Sequence, residues 1–454
     1  MKHSTITLLA LLPLGCVSQT SVNDPANIPS CAVEGALLFT VGDTDDLVDA
    51  DLTDDLCESS AGTCTLRAAI EQANATGAPF THITVASGDY QLSIPAGTPD
   101  PTCEDDTCMI EDESDAAMGD LDIHVAMCVE GRDRDNTVIR GGGDVGRVFH
   151  LHETASSPVF SGVVIKNVTL SDGYAPAFSG DDPIEDLVVM TGCESGEDEC
   201  SGGAIRNQSS AYLQNIVVSD NASNGQGNGI LNSAEMILSA SEVNNNRDEL
   251  GHGGGLFNQQ TLTVQYSTFD GNRTDSSGGA IANMGGTVDI VHSTFHANET
   301  PWDGSAIAMG DGGEITILFT TIAGSDSPND GAAIAIYAGT VTIKNSIVAD
   351  TNGDNCLVSG GTLIAEGDNL STDATCTDFT LSEPAGLQAI SAADCLASGT
   401  PDMVCTPVLT PEATSPAIDG ATDCTDWDGT AADVDQQGQE RLPDEPCELG
   451  SDEI

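Results

Sequence analysis

The chain has 454 residues, with 12 Lys plus Arg against 72 Asp plus Glu, for a formal net charge of −60. Nucleic acid, anionic membrane and acidic polysaccharide are excluded as direct partners, because each would meet a field of its own sign. Cations are the natural counter-species, and a saline or calcium-rich medium would screen the self-repulsion.

Lys2 and His3 precede an apolar run over residues 6–12 and then Leu14-Gly15-Cys16, the order of an export signal. Residues 1–15 are therefore read as a signal peptide and residues 16–30, rich in Ser, Asn, Pro and Thr, as a tether. No other segment is long and apolar enough to span a bilayer. The Leu-Gly-Cys ending resembles the lipobox of bacterial lipoproteins, which implies lipidation at Cys16 and attachment at the outer membrane surface; secretion is the alternative. Of 15 Cys, removing Cys16 leaves an even number, as disulfides in an oxidising compartment require. Close pairs are Cys57 with Cys64, Cys103 with Cys108, Cys193 with Cys200 and Cys395 with Cys405, although spacing does not fix connectivity. No Cys-x-x-Cys occurs, which argues against a thiolate metal site.

Residues 31–100 open with an acidic stretch holding Asp43, Asp45, Asp46 and Asp49. Leu66, Ile70 and Ala73 then recur at helical spacing in an Ala-rich segment, predicting a short amphipathic helix. Such a helix suits the open end of a solenoid, which otherwise exposes both its core and unpaired strand edges. Strand patterns follow near 83–85, 90–94, 121–125, 138–140, 148–151 and 163–170. Residues 174–201 break the pattern with Pro, acidic residues and two Cys, and read as a loop thrown out from one corner.

From there the chain repeats. Ile205, Ile230, Leu256, Ile281, Ile307 and Ile334 recur with a period of about 26 residues, in the solenoid range. Within each repeat apolar and polar residues alternate, as in Leu262-Thr263-Val264 and Val341-Thr342-Ile343, so one face of each strand points inward. The fold class is all-β: a right-handed parallel β-helix over residues 101–350, rising by roughly 4.8 Å per coil. Two columns of Asn follow the same period: Asn207, Asn232, Asn258 and Asn283, and Asn221, Asn246, Asn272 and Asn298. Stacked amides can hydrogen-bond along a column, and Asn tolerates the left-handed backbone of a tight corner. Both columns are therefore read as structural. Periodicity fades after Asp350, and residues 351–454 read as a disulfide-stapled end piece.

Several phrases resemble known families. Cys64-Thr65-Leu66-Arg67-Ala68-Ala69-Ile70 is similar to the CSLREA signature of a bacterial amino-terminal module, departing at Thr65 and Ala68. Ser415-Pro416-Ala417-Ile418-Asp419 and Asp435-Gln436-Gln437-Gly438 resemble the choice-of-anchor Q domain. The resemblance implies a pectin-lyase-like β-helix, secreted or on the bacterial surface, with no established activity. The Gly-Gly-Ala-Ile and Phe-x-x-Asn phrases are also similar to the repeats of polymorphic outer-membrane adhesins.

Chemistry on such a fold comes from side chains on adjacent coils. Arg247, Arg273 and Glu299 recur at the repeat period; a lyase would use such Arg to neutralise a uronate, whereas a surface Arg–Glu ladder is the plainer reading. A hydrolase would need paired carboxylates, but Asp270 and Asp220 fall in different columns, neither with a second acid. His292 and His296 are read as corner residues. The acidic groups Asp43, Asp45, Asp46, Asp49 and Asp423, Asp426, Asp428, Asp433 offer hard oxygen ligands for calcium in loops, set against a solvated acidic surface. The sequence thus points to a surface-anchored binding or adhesion protein for a glycan or cell-surface ligand, which would show an exposed aromatic strip; Tyr212, Tyr266, Phe319 and Tyr337 are the candidates. A polysaccharide lyase or glycoside hydrolase, with Arg247, Arg273 and Asp270 as catalytic candidates, is the runner-up, and a structural rod of the envelope or matrix the third reading.

Overall fold

The computed structural model describes residues 29–95, 116–142, 145–154, 162–175, 200–248, 251–327, 331–391, 406–432, 434–439, 441 and 446–452. Their strands form three long sheets, every pairing parallel. Sheet 1 has eleven strands from Leu37–Val41 to Thr362–Glu366, sheet 2 nine from Leu121–Ile123 to Asp354–Val358, and sheet 3 eleven from Gly88–Gln91 to Thr380–Leu381. The chain visits the sheets in rotation, one strand in each per coil, so this is a parallel β-helix. The residues that set the period stack directly: Ile205 on Ile230, then Leu256, Ile281, Ile307 and Ile334, all fully buried.

Alternation accounts for the core. In sheet 1 Leu262, Val264, Val288, Ile290, Ile315 and Ile317 point inward and are solvent-free, while Thr263, Asp289 and Thr316 between them are half-buried on the outside. The predicted helix is Leu66–Thr76, started by Thr65, whose hydroxyl accepts from the Ala68 amide, and ended by Gly77 at φ 63°, a left-handed stop that glycine adopts without strain. Its Leu66, Ala69, Ile70 and Ala73 join Val41, Ile83, Leu121 and Ile123 in the core.

The Asn columns are hydrogen-bonded ladders. Asn207 donates to Asn232, Asn232 to Asn258 and Asn258 to Asn283, each at 2.8 Å. Asn221 donates to Asn246, Asn246 to Asn272 and Asn272 to Asn298 at 2.9–3.0 Å. The left-handed corners, however, fall on other residues. Asp220, Asn245, Gly271 and Ala297, each just before a ladder Asn, have positive φ, as do Ala240, Tyr266, His292 and Phe319 at a second corner. The ladder Asn are held by buried amide hydrogen bonds rather than by tolerance of positive φ. A further ladder, in which Ser241, Ser267 and Ser293 hydroxyls accept from the backbone one coil below, has no counterpart among the sequence expectations.

Both expected boundaries shift. The strands Leu37–Val41, Thr81–Val85 and Gly88–Gln91 already belong to sheets 1 and 3, so the cap is a helix inserted into the first coil. Beyond Asp350, Asp354–Val358 and Thr362–Glu366 add another coil, with Ile334 over Cys356 and Val341 over Leu363. That coil is shorter than those before it, and the reduced spacing hid it from the repeat pattern. The described part of the C-terminal region beyond residue 405 does not close the end. It runs along the flank: Thr268 donates to the Pro407 carbonyl, Thr294 to Gln436, Lys344 to the Asp426 carbonyl, and Arg441 sits 4.4 Å from the Phe319 ring centre. Leu409, Ala417, Ala421 and Leu449 pack there with Leu318, Phe319 and Ile347.

Four disulfides join described residues: Cys31–Cys128, Cys57–Cys64, Cys356–Cys376 and Cys424–Cys447. Cys31–Cys128 and Cys424–Cys447 link residues 97 and 23 positions apart, brought together by the fold rather than by proximity in sequence. Cys200 is also disulfide-bonded. Cys16, Cys103, Cys108, Cys193, Cys395, Cys405 and Asp433 lie outside the described residues.

Candidate functional site

A group of titratable side chains converges on the second sheet near the capped end. In Leu121–Ile123 and Phe149–Leu151 the flanking apolar residues point into the core, which turns Asp122 and His150 outward as directly paired neighbours. The shared register carries His124 and His152, two residues further on, to the same level. Asp122 Oδ1 lies 2.6 Å from His152 Nε2 and 3.4 Å from His150 Nδ1. The rings of His124 and His152 stack at 4.1 Å, and those of His150 and His152 approach to 3.7 Å. Three of the eight His in the chain meet at this carboxylate.

The surroundings fix that geometry. Asn74, near the end of the helix, donates to the Asp122 carbonyl at 2.8 Å and accepts from the His124 amide at 3.1 Å, pinning the segment to the cap. Arg67, itself fully buried, pairs with Asp46 at 2.6 Å and donates to the carbonyls of Ala116 and Gly119, fastening the chain that leads into Asp122. Gln208, one coil along, meets His150 Nε2 at 3.2 Å. Burial, reinforced by the nearby Arg147, His152 and Arg206, drives the His150 imidazole far below its ordinary range and keeps it neutral. Asp122 and His150 are fully buried, whereas His124 and His152 are partly open to solvent.

This cluster lies outside the columns that the repeat pattern marks. Its signal is Asp122-Ile123-His124 followed by His150-Leu151-His152, two alternating motifs set close to one repeat length apart.

The residues that were singled out are distributed differently. Arg247 and Arg273 do pair across adjacent coils, and the column continues through Glu299 to Asp326. Arg273 lies 3.1 Å from Asp275 and 3.4 Å from Glu299 and is 44 % exposed, as a surface ladder would be. Asp270 belongs to sheet 3 and meets His296 Nδ1 at 2.7 Å, so the Arg pair and the acid sit in separate ladders. In the first acidic loop, Asp46 is occupied by Arg67 and by the amides of Ser93 and Ile94, Asp43 accepts from Thr63 at 2.5 Å, and Asp49 accepts from the Asp51 and Glu58 amides. In the second, Asp423 pairs with Lys344 at 3.1 Å, and Asp426 and Asp428 accept from the Thr430 amide. Two groups of ligand-type side chains converge among the described residues, and neither includes these Asp. In both loops described Asp side chains make turn-forming hydrogen bonds.

The expected aromatic strip is not a surface. Tyr266 and Phe319 are buried, with His292 stacked between them at 5.3 and 5.4 Å, under the C-terminal flank. Tyr212 is half-buried. Tyr337 is 38 % exposed and donates to Asp303 at 2.6 Å, and beside Asp303 stands Trp302, 62 % exposed. The Trp302 amide is fixed by the Thr300 hydroxyl at 3.2 Å, and Gly331 packs so closely on the Trp302 carbonyl that a Cβ there would collide with it.

No protein-family model and no curated protein sequence matches the chain. Among solved structures, the A-module of the Azotobacter vinelandii mannuronan C-5 epimerase is similar at 14 % identity with a TM-score of 0.27, over 75 % of this chain and 91 % of that one. The protein is a parallel β-helix. Fold alone does not carry an activity.

Proposed function

We propose that the protein is an exported, lipid-anchored β-helix that binds a neutral or weakly charged glycan at a surface without cleaving it, through Trp302, Asp303 and Tyr337. The observation that supports this reading is the exposed Trp302 ring beside the Tyr337–Asp303 hydrogen bond, contributed by two successive coils. A large aromatic face with a polar group at its edge suits a sugar ring, whose C–H face stacks while its hydroxyls hydrogen-bond. Trp and Tyr are also the residues that concentrate binding energy at interfaces. The charge of −60 selects against polyuronates and in favour of uncharged chains. The disulfides, four of them between described residues, favour an oxidising compartment, as export through the 1–15 signal would require.

The test is a panel of neutral and acidic polysaccharides presented to the purified chain, following retention and new reducing ends together. Retention on a neutral glycan, lost in Trp302→Ala and without new ends, is the expected result. Cleavage of any glycan, or retention that survives W302A, would contradict it.

A further inference from the structure

We propose that Asp122, His124 and His152 form a binding site for one divalent ion of the zinc class, independent of the glycan reading. Their ligand atoms, one carboxylate oxygen and two imidazole nitrogens, all lie within 4.8 Å of one another. Three ligands of this kind match the donor set of sites that keep a further position for water. Imidazole with a single carboxylate favours zinc, cobalt, nickel or copper over calcium and magnesium, which take oxygen ligands.

The exposure gradient suits the role. Asp122 is buried and directionally fixed, whereas His124 and His152 are partly open and form the entry side. An ion would replace the 2.6 Å contact between Asp122 Oδ1 and His152 Nε2, and the two rings would tilt out of their 4.1 Å stack to aim their nitrogens at it. His150, 3.4 Å from Asp122 and held from behind by Gln208, would orient the carboxylate in the way outer partners orient metal ligands. The Asn74 hydrogen bonds to both ends of the 122–124 segment hold two of the three ligands in place before any ion arrives. The other convergent group, Cys31, His82, Cys128 and Glu130, is not a rival, because its thiols are joined in a disulfide.

The experiment uses the full chain, kept oxidised, stripped with chelator and titrated with Zn2+ by calorimetry and with Co2+ by visible absorption. Uptake of one ion per chain, with a ligand-field spectrum for Co2+, is expected. His124→Ala and His152→Ala should each weaken Zn2+ on the order of 100-fold, His150→Gln roughly 10-fold, and His82→Ala not at all. Absence of stoichiometric uptake, or uptake undiminished in the H124A/H152A double variant, overturns the proposal. Should that variant fail to fold, imidazole 15N spectra of the unsubstituted chain decide the matter. Zn2+ shifting His124 and His152 while leaving His252 and His296 in place supports the site; shifts elsewhere, or none, overturn it.

Discussion

One column of sheet 2 changes character along the solenoid. At the capped end its outward residues are Asp122, His150 and Arg206; from the next coil they are Leu231, Phe257, Ala282, Ala308 and Ala335. Of the inward columns on either side, the one through Leu121, Phe149, Ile205, Ile230, Leu256, Ile281, Ile307 and Ile334 stays apolar throughout, whereas the other passes from Ile123 and Leu151 into the ladder of Asn207, Asn232, Asn258 and Asn283 before returning to Met309 and Ile336. The outward column is buried as well but lies outside the central core cluster, so a change of residue type there leaves that core intact. In the middle coils the outward column carries an apolar cluster of Leu231, Phe257 and Ala282, in the first coils a carboxylate among imidazoles.

Four perturbations sharpen this contrast, beginning with the largest. Arg67→Met would leave Asp46 buried without its cation and release the carbonyls of Ala116 and Gly119. A loss of about 3–5 kcal/mol is expected, read by denaturant unfolding, with the Asp122 cluster disordered together with the cap. In the middle coils Asn246→Ala removes donors to Asn272 and the Val218 carbonyl and an acceptor for Asn221. It should cost about 1–3 kcal/mol without touching the capped end, and a variant as stable as the parent would remove the ladder from the account.

The third perturbation concerns pH. Asp452 lies buried in the C-terminal flank, and burial, with Asp435 adding to it, pushes its carboxyl up from the ordinary 3.8 to about 7. The folded state therefore binds the proton more tightly than the unfolded chain. The stability this contributes is present in full below the ordinary value and is lost as pH rises through about 7. Amide exchange in residues 406–452, corrected for intrinsic rates, should be faster at the alkaline end of that window, and Asp452→Asn should remove most of the difference. Equal pH dependence in both proteins would contradict the assignment. Smallest of all, the Arg247→Ala and Arg273→Ala pair should change stability by no more than about 1 kcal/mol and leave glycan retention unchanged.

What was legible in the sequence follows from the same asymmetry. The stacked Ile and Leu positions and the Asn ladders announce themselves because successive coils repeat them, and the capping helix because Leu66, Ile70 and Ala73 recur at helical spacing. The coil built on Cys356 was hidden by its shorter spacing, and the flank position of residues 406–452 depends on long-range contacts such as Thr294 with Gln436 that no local pattern encodes. The His cluster eluded the repeat search because it occurs in two coils only. Tyr266 and Phe319 look like surface aromatics in the pattern, yet lie buried at a left-handed corner, Phe319 with Arg441 over its ring.

The most direct test of the binding account uses the two Trp of the chain as reporters. Trp427→Phe leaves Trp302 as the sole indole, and titration with a retained neutral polysaccharide should shift its emission saturably, while Trp302→Phe, reporting from Trp427 alone, should show no response and no binding. An unchanged Trp302 emission at saturating glycan, or undiminished binding by W302F, would place the ligand elsewhere and contradict the account.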